Sequence, residues 1–233
     1  MTIEEYKERL SRAHNIVFFG GAGVSTESGI PDFRSVDGLY NQKYKYPPET
    51  MLSADFFRYN TEEFFRFYFD KMIYVEAKPN AAHIRLSEWE KAGKLKAVVT
   101  QNIDGLHQAA GSKTVYELHG SVHRNTCVKC GKKFGLEEML RQKPNVPRCE
   151  CGGVIKPDVV LYGEGLPEHT VISAIEAIAS ADMLIVGGTS LAVYPAAGFV
   201  SYFNGDPDNL IVINKTPIQG FKNQLNGSLG ELL

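Results

Sequence analysis

Three observations in this 233-residue sequence predict an α/β fold, a doubly wound parallel sheet with a small inserted module. First, short continuous apolar runs alternate with stretches of helical period, the pattern of strands buried on both faces. Second, each of these runs stops at glycines or small polar residues. Third, the four cysteines fall as two close pairs between the third and fourth runs and nowhere else. A Rossmann-like sheet interrupted by a cysteine module accommodates all three.

The elements follow in order. Thr2 and Glu5 match a capping box, predicting a helix from Thr2 to Ala13. Ile16-Val17-Phe18-Phe19 is the first buried strand, ending in Gly20 to Gly23. The aromatic- and glycine-rich stretch from Pro31 to Pro48 lacks periodicity and is expected to be a functional loop that orders, with Phe33, Tyr40, Tyr44 and Tyr46 as its anchors. Ser53 or Thr61 caps helices whose aromatic stripe (Phe56, Phe57, Phe64, Phe65, Phe67, Tyr68) and Met72 are assigned to the core. Asn80 caps a further helix ending near Gly93.

Strands then run from Leu95 to Thr100 and from Val115 to Leu118, with a polar loop and helix between them. The cysteine module fills about Val122 to Ile155, and Val159 to Tyr162 resumes the strands. A helix from Glu168 to Ala179, a strand from Met183 to Val186, a helix opened by Pro195 and a last strand from Leu210 to Ile213 complete the chain. The division expected is a nucleotide-binding domain over 1–121 and 157–233 and a metal module over 122–156, with part of the helical segment 31–75 packed on that module.

Composition narrows the function. Lysine and arginine (25) nearly cancel aspartate and glutamate (27), so no bulk positive field exists to hold nucleic acid or an anionic membrane. No apolar run approaches the ~18 residues of a membrane span. The charged, amphipathic first ten residues carry no signal-peptide core, so a cytoplasmic protein is expected. In that compartment Cys127, Cys130, Cys149 and Cys151 suit a zinc ion better than disulfides. Four thiolates close a tetrahedral shell, which makes the metal structural.

In open parallel sheets, ligands bind beyond the C-terminal ends of the strands. Gly21, Ala22 and Gly23 let backbone amides approach a pyrophosphate. Thr26 stands where a dinucleotide fingerprint has its third glycine, which disfavours an ordinary dehydrogenase. Gln101, Asn102 and Asp104 follow the next strand, and His119 follows the third as a candidate general base. Gly188, Thr189 and Ser190 form another small-residue turn, and Asn214 suits ribose hydroxyls.

The run from Gly21 to Arg34, GAGVSTESGIPDFR, closely resembles the signature of the sirtuins, the NAD-dependent protein deacylases. Thr100 to His107, His119-Gly120, the cysteine pairs, Lys156 to Val160 with Gly163-Glu164, and Gly188 to Ser190 follow in that family's order. The similarity spans roughly Asn15 to Lys215 and is greatest to small bacterial members of the undifferentiated branch.

That resemblance implies roles. Gly21, Ala22, Gly23, Thr26, Asp32 and Arg34 would hold NAD on its pyrophosphate and ribose side, and Phe33 would shield the ribose carbon once nicotinamide has left. Gln101 and Asn102 would contact the nicotinamide ribose and an ordered water, and Ile103 and Asp104 the carboxamide. Gly188, Thr189, Ser190, Asn214 and Lys215 would serve the adenosine half. Val160, Leu161, Tyr162, Gly163 and Glu164 would pair with the backbone of an acetylated (acylated) lysine peptide, and His119 with Asn102 would carry the catalysis.

The implied reaction is deacetylation with NAD as co-substrate, giving nicotinamide and O-acyl-ADP-ribose. An ADP-ribosyltransferase or NAD glycohydrolase using the same pocket is the alternative, and a nucleic-acid-binding zinc ribbon is a third reading. Tyr68 is followed three residues on by Lys71, where the family's desuccinylase branch has arginine, so acetyl is expected over succinyl.

Overall fold

The computed structural model describes residues 1–33, 38 and 44–233. The expectations for Arg34 and Tyr40 lie outside the described residues.

Six strands form one parallel sheet: β1 (Ile16–Gly20), β2 (Leu95–Thr100), β3 (Val115–Glu117), β7 (Met183–Gly187), β8 (Leu210–Asn214) and β9 (Gln224–Asn226). Their order is β3-β2-β1-β7-β8-β9, and every adjacent pair is parallel. The chain runs outward from β1 through β2 to β3, then returns to the other side of β1 at β7. That reversal is a topological switch point between β1 and β7, where such sheets open a crevice.

Alternate residues of each strand build two cores. Phe18, Val98, Ile185 and Ile211 face one side, where they meet Tyr6 of α1 (Ile3–Arg12), Leu86 of α5 (Ala81–Lys91) and Leu229 of α9 (Leu229–Leu232). Val17, Phe19, Val99 and Val186 face the other, against Ala174 and Ile178 of α8 (Glu168–Ser180) and Phe199 in the 3-10 helix Ala196–Tyr202. Each fully buried aliphatic or aromatic side chain contributes roughly 1.5–3 kcal/mol. The capping box on α1 is present: Glu5 N donates to Thr2 Oγ1 (3.1 Å) and Thr2 N to Glu5 Oε2 (2.7 Å).

A second, antiparallel sheet of order β5-β4-β6 comprises β4 (Gly120–Cys127), β5 (Lys133–Gly135) and β6 (Ile155–Val159). With α7 (Leu136–Leu140) it shares a third core with α2 (Pro48–Met51), α3 (Ala54–Tyr59) and α4 (Thr61–Lys71). The aromatic stripe is buried there, with Phe57, Phe64 and Phe65 in edge-to-face contact at centroid distances of 5.1–6.1 Å.

Several expected elements differ. Val159 does not rejoin the parallel sheet: it ends β6, and beyond it Val160 N donates to His119 O and Tyr162 forms an isolated bridge with Ser53. An apolar run alone does not distinguish parallel from antiparallel pairing. Thr61 does not cap a helix. Asn60 holds that position, and the Thr61 hydroxyl instead donates to Phe57 O (2.8 Å), while Ser53 does cap α3. The segment after Pro195 is a 3-10 helix rather than an α-helix. The three-residue strands β5 and β9 carry too little pattern to be read from sequence.

β3 hands over to β4 through Leu118, His119 and Gly120. Gly120 has φ +75°, and a Cβ there would collide with the Asp158 carbonyl oxygen, so only glycine fits. Gly120→Ala is expected to cost about 2 kcal/mol or more, a melting temperature lower by about 4–8 °C. Thermal denaturation of the variant at wild-type stability would contradict the tight crossing.

Candidate functional site

The register of the parallel sheet sets the site. Gly20 lies opposite both Thr100 and Gly187, Thr100 opposite Glu117, and Gly187 opposite Ile213. Five strands therefore end at one level, and the residues that follow them open into a single cleft of roughly 1240 Å3.

At the switch point the turns after β1 and β7 touch through their backbones. Gly21 N donates to Gly187 O (3.2 Å) and Gly23 N to Gly188 O (2.8 Å). A Cβ on Gly23 would lie 2.8 Å from Gly188 Cα, so side chains are excluded at this contact. Ala22, Thr26, Asp32, Phe33, Thr189, Ser190, Asn214 and Lys215 line the cleft around it. Asn214 Nδ2 donates to Thr189 O (3.2 Å), which ties the end of β8 to the β7 turn.

Beyond β2, Gln101 N donates to Gly20 O (2.9 Å), and its side-chain Nε2 donates to Thr189 Oγ1 (3.1 Å). Asn102 is buried, with Nδ2 donating to Ser25 Oγ (3.0 Å), and Ser25 Oγ donates onward to Asp104 Oδ2 (2.6 Å). The other Asp104 oxygen accepts from Leu106 N (2.9 Å) at the start of α6 (Leu106–Ala109). Ile103 also lines the cleft, and its carbonyl accepts from Val122 N (3.0 Å). Ser25, fully buried between Asn102 and Asp104, was missed in the sequence because nothing in its own spacing links it to residues 77 and 79 positions away.

His119 reaches the cleft from the β3 end. Its Nδ1 lies 2.9 Å from Gln101 O. A carbonyl only accepts, so Nδ1 carries the proton and Nε2 keeps a lone pair. Burial pulls the imidazole below its usual value of 6.5, and the bond to Gln101 O offsets part of that shift. The ring is therefore neutral at pH 7, as a proton acceptor must be.

Val160 to Glu164 form the opposite wall. Val160 N donates to His119 O (2.9 Å), Tyr162 N to Leu52 O (3.0 Å) and Ala54 N to Tyr162 O (2.9 Å). Leu161 N donates to Glu164 Oε2 (2.9 Å), which also pairs with Lys156 Nζ (3.1 Å). Among the described residues, the Val160 carbonyl and the Gly163 N–H carry no partner.

The four cysteines lie away from this cleft, at the tip of the small sheet. Cys127 and Cys151 sulfurs are 3.5 Å apart, Cys130 and Cys149 sulfurs 3.6 Å, and all four lie within 4.8 Å of one another. A tetrahedral zinc with Zn–S near 2.3 Å places sulfurs about 3.8 Å apart, so the set fits that ion. Gly131 (φ +74°) and Gly152 (φ +79°) turn the chain after Cys130 and Cys151. Burial raises the Cys127 thiol, but the backbone N–H groups of Cys130 and Lys129 outweigh it and favour the thiolate. The basic residues nearby are largely paired: Lys132 with Glu150, Lys133 with Asp158, Arg141 with Glu137 and Arg124 with Glu117.

The fold and cleft define a parallel α/β protein with a nucleotide-sized crevice at the switch point and a four-cysteine accessory module. The Sir2 family model matches residues 21–195. A curated NAD-dependent protein deacetylase of Clostridium acetobutylicum is 60% identical over 217 residues, covering 92% of this chain and 88% of that one. A solved Sir2 variant with deacetylated p53 peptide and 3′-O-acetyl ADP ribose superposes with TM-score 0.89 at 38% identity, covering 99% of this chain and 95% of the other. A Sir2 bound to acetylated peptide gives TM-score 0.87 at 36% identity, with the same coverage of each chain. The chain belongs to the Sir2 family.

A closed site of four thiolates is expected to hold one zinc per chain. Cys127→Ser should release it and lower the melting temperature by more than about 5 °C, because binding and folding free energies are coupled. A metal-free variant that melts like wild type, with only its chemistry lost, would contradict a structural ion.

Proposed function

We propose that this chain is an NAD-dependent protein-lysine deacetylase, transferring the acyl group of acyl-lysine to ADP-ribose with release of nicotinamide. The observation that carries the reading is His119: one neutral imidazole, its Nδ1–H fixed on Gln101 O, facing a cleft whose other rim is the Gly23–Gly188 contact. The NAD-dependent deacetylase relatives and the solved peptide complexes agree with it.

In this reading Gly21, Ala22, Gly23 and Thr26 hold the pyrophosphate, and Thr189, Ser190, Asn214 and Lys215 the adenosine half. Gln101 and Asn102 face the nicotinamide ribose, and Ile103 with Asp104 the carboxamide. The Ser25 bridge keeps Asn102 and Asp104 in one orientation. When bound, NAD supplies an electrophilic ribose carbon on loss of nicotinamide, which the weakly nucleophilic acyl oxygen can capture. His119 Nε2 would take the proton of a ribose hydroxyl as that oxygen bonds to the captured acyl carbon, from which the lysine amine then departs, and Gln101 O would steady the imidazolium through Nδ1–H. Phe33, packed against the aromatic core, excludes water from that carbon.

The Val160 carbonyl and Gly163 N–H are the groups a substrate strand would use, with exposed Tyr162 beside them. Backbone pairing of this kind tolerates many peptide sequences. We also read the chain as two units, 1–121 with 157–233 and 122–156 with the helices of segment 31–75, since the small sheet and α2–α4 share one core. Among the described residues no helix is long and apolar enough to cross a membrane, and a cytoplasmic enzyme is the reading we adopt.

The first test replaces His119 with Ala: turnover should fall at least about a thousandfold with the melting temperature unchanged. In wild type, kcat/KM should rise with pH through an apparent pKa below 6.5 and level off above it, because only the neutral ring accepts the proton. Substantial turnover in the variant, or a basic-limb requirement above pH 7, would remove His119 as the base.

Acyl preference gives a further expectation. Lys71 lines the cleft, but Asp70 holds its ammonium at 3.1 Å, so it offers a succinyl carboxylate no free bidentate fork. Acetyl-lysine peptides should be processed faster than succinyl-lysine peptides, read as nicotinamide release from NAD. The reverse order would refute the assignment.

A further inference from the structure

We propose that Asn80 is a positioning residue for the cofactor turn, acting through the two N–H donors of its side-chain amide. The inference rests on the NAD-dependent reading above. Asn80 occupies the N-cap of α5, where its Oδ1 accepts from Ala82 N (3.0 Å) and His83 N (3.4 Å). The helix end thus dictates which side of the amide is oxygen, since a flipped amide would set N–H against N–H. His83 Nδ1 accepts from Asn80 N (3.3 Å), closing the capping box, and burial keeps that imidazole neutral; the oxygen's placement rests on the two helix N–H groups.

The amide nitrogen therefore points out of its own helix. It donates to Val24 O (2.8 Å), 56 residues earlier in the chain, and to Ser28 Oγ (3.0 Å). Val24 and Ser28 bracket the turn that carries Ser25, Thr26 and Glu27. On the other flank the Ser228 hydroxyl donates to Glu27 Oε1. Asn80 thereby couples the start of α5 to the segment whose glycines approach Gly188. Val24 is buried, so losing this donor leaves its carbonyl short of a partner.

Capping and clamping are separable, because a cap needs only an oxygen. Aspartate caps as well as asparagine and suits the helix dipole, but it has no N–H to give Val24 or Ser28. In N80D the ligand-free protein should melt closer to wild type than N80A does. The KM for NAD should rise about tenfold, while kcat and the KM for acetyl-lysine peptide stay within about twofold. S28A, which removes one of the two bonds, should raise the KM for NAD about threefold, and the double variant should be no worse than N80D, because N80D already removes the donor that Ser28 Oγ accepts from.

Calorimetric binding of ADP-ribose reads the same clamp without turnover and should weaken in parallel. N80D with wild-type affinity for ADP-ribose overturns the inference, as does a rise in the NAD and peptide KM values together that tracks the loss of melting temperature. A wild-type protein that binds ADP-ribose but releases no nicotinamide with acetyl-lysine peptide would instead defeat the functional reading and leave the clamp measurable.

Discussion

The alignment of strand ends across the parallel sheet is the constraint on which the rest depends. Hydrogen-bonded register places Glu117, Thr100, Gly20, Gly187 and Ile213 in one row, so the next residue of each strand emerges on one rim. A shift of one residue in any pair would exchange that strand's side chains between two differently packed apolar cores, and the misfit in both opposes it. Burial on two faces thus fixes, at a distance, where polar groups meet.

Short bonds between the turns then sharpen the rim. Gly23 N to Gly188 O closes the switch point, Gln101 Nε2 reaches Thr189, and Gln101 O orients His119. One residue, Gln101, therefore links the turn after β7 to the proposed base. Such backbone and side-chain bonds preorganise donors before any ligand arrives, which is where electrostatic catalysis gains most. The small sheet contributes differently. Val160 N on His119 O anchors the wall that faces the cleft, and the cysteine cluster lies at the far end of that sheet, joined to the site only through the fold.

Much of this was legible because it is local. Thr2 with Glu5, Ser53 and Asn80 announce helix starts through their own side chains, and the apolar runs at Ile16, Leu95, Met183 and Leu210 are long enough to declare strands. The cysteine cluster was readable from spacing, and the glycine turns from their position after strands. Most of what escaped was set by tertiary partners, the exception being Thr61, displaced as a cap by its neighbour Asn60. The antiparallel pairing of β6 depends on β4, the loss of Thr61 as a cap on Asn60, and the roles of Ser25 and of the Asn80 amide nitrogen on contacts spanning more than 50 residues. The resemblance to sirtuins supplied the order of motifs, while the register explains why those motifs share one rim.

The most direct test is a crystal structure of the protein with NAD and an acetyl-lysine peptide. The account predicts the pyrophosphate against the turn after β1, where Gly21 N and Gly23 N are held by the β7 turn and the Ala22 N–H is left to donate, with His119 Nε2 about 3 Å from a ribose hydroxyl. A dinucleotide bound elsewhere, or an imidazole more than about 6 Å from the ribose in the closed complex, would contradict it.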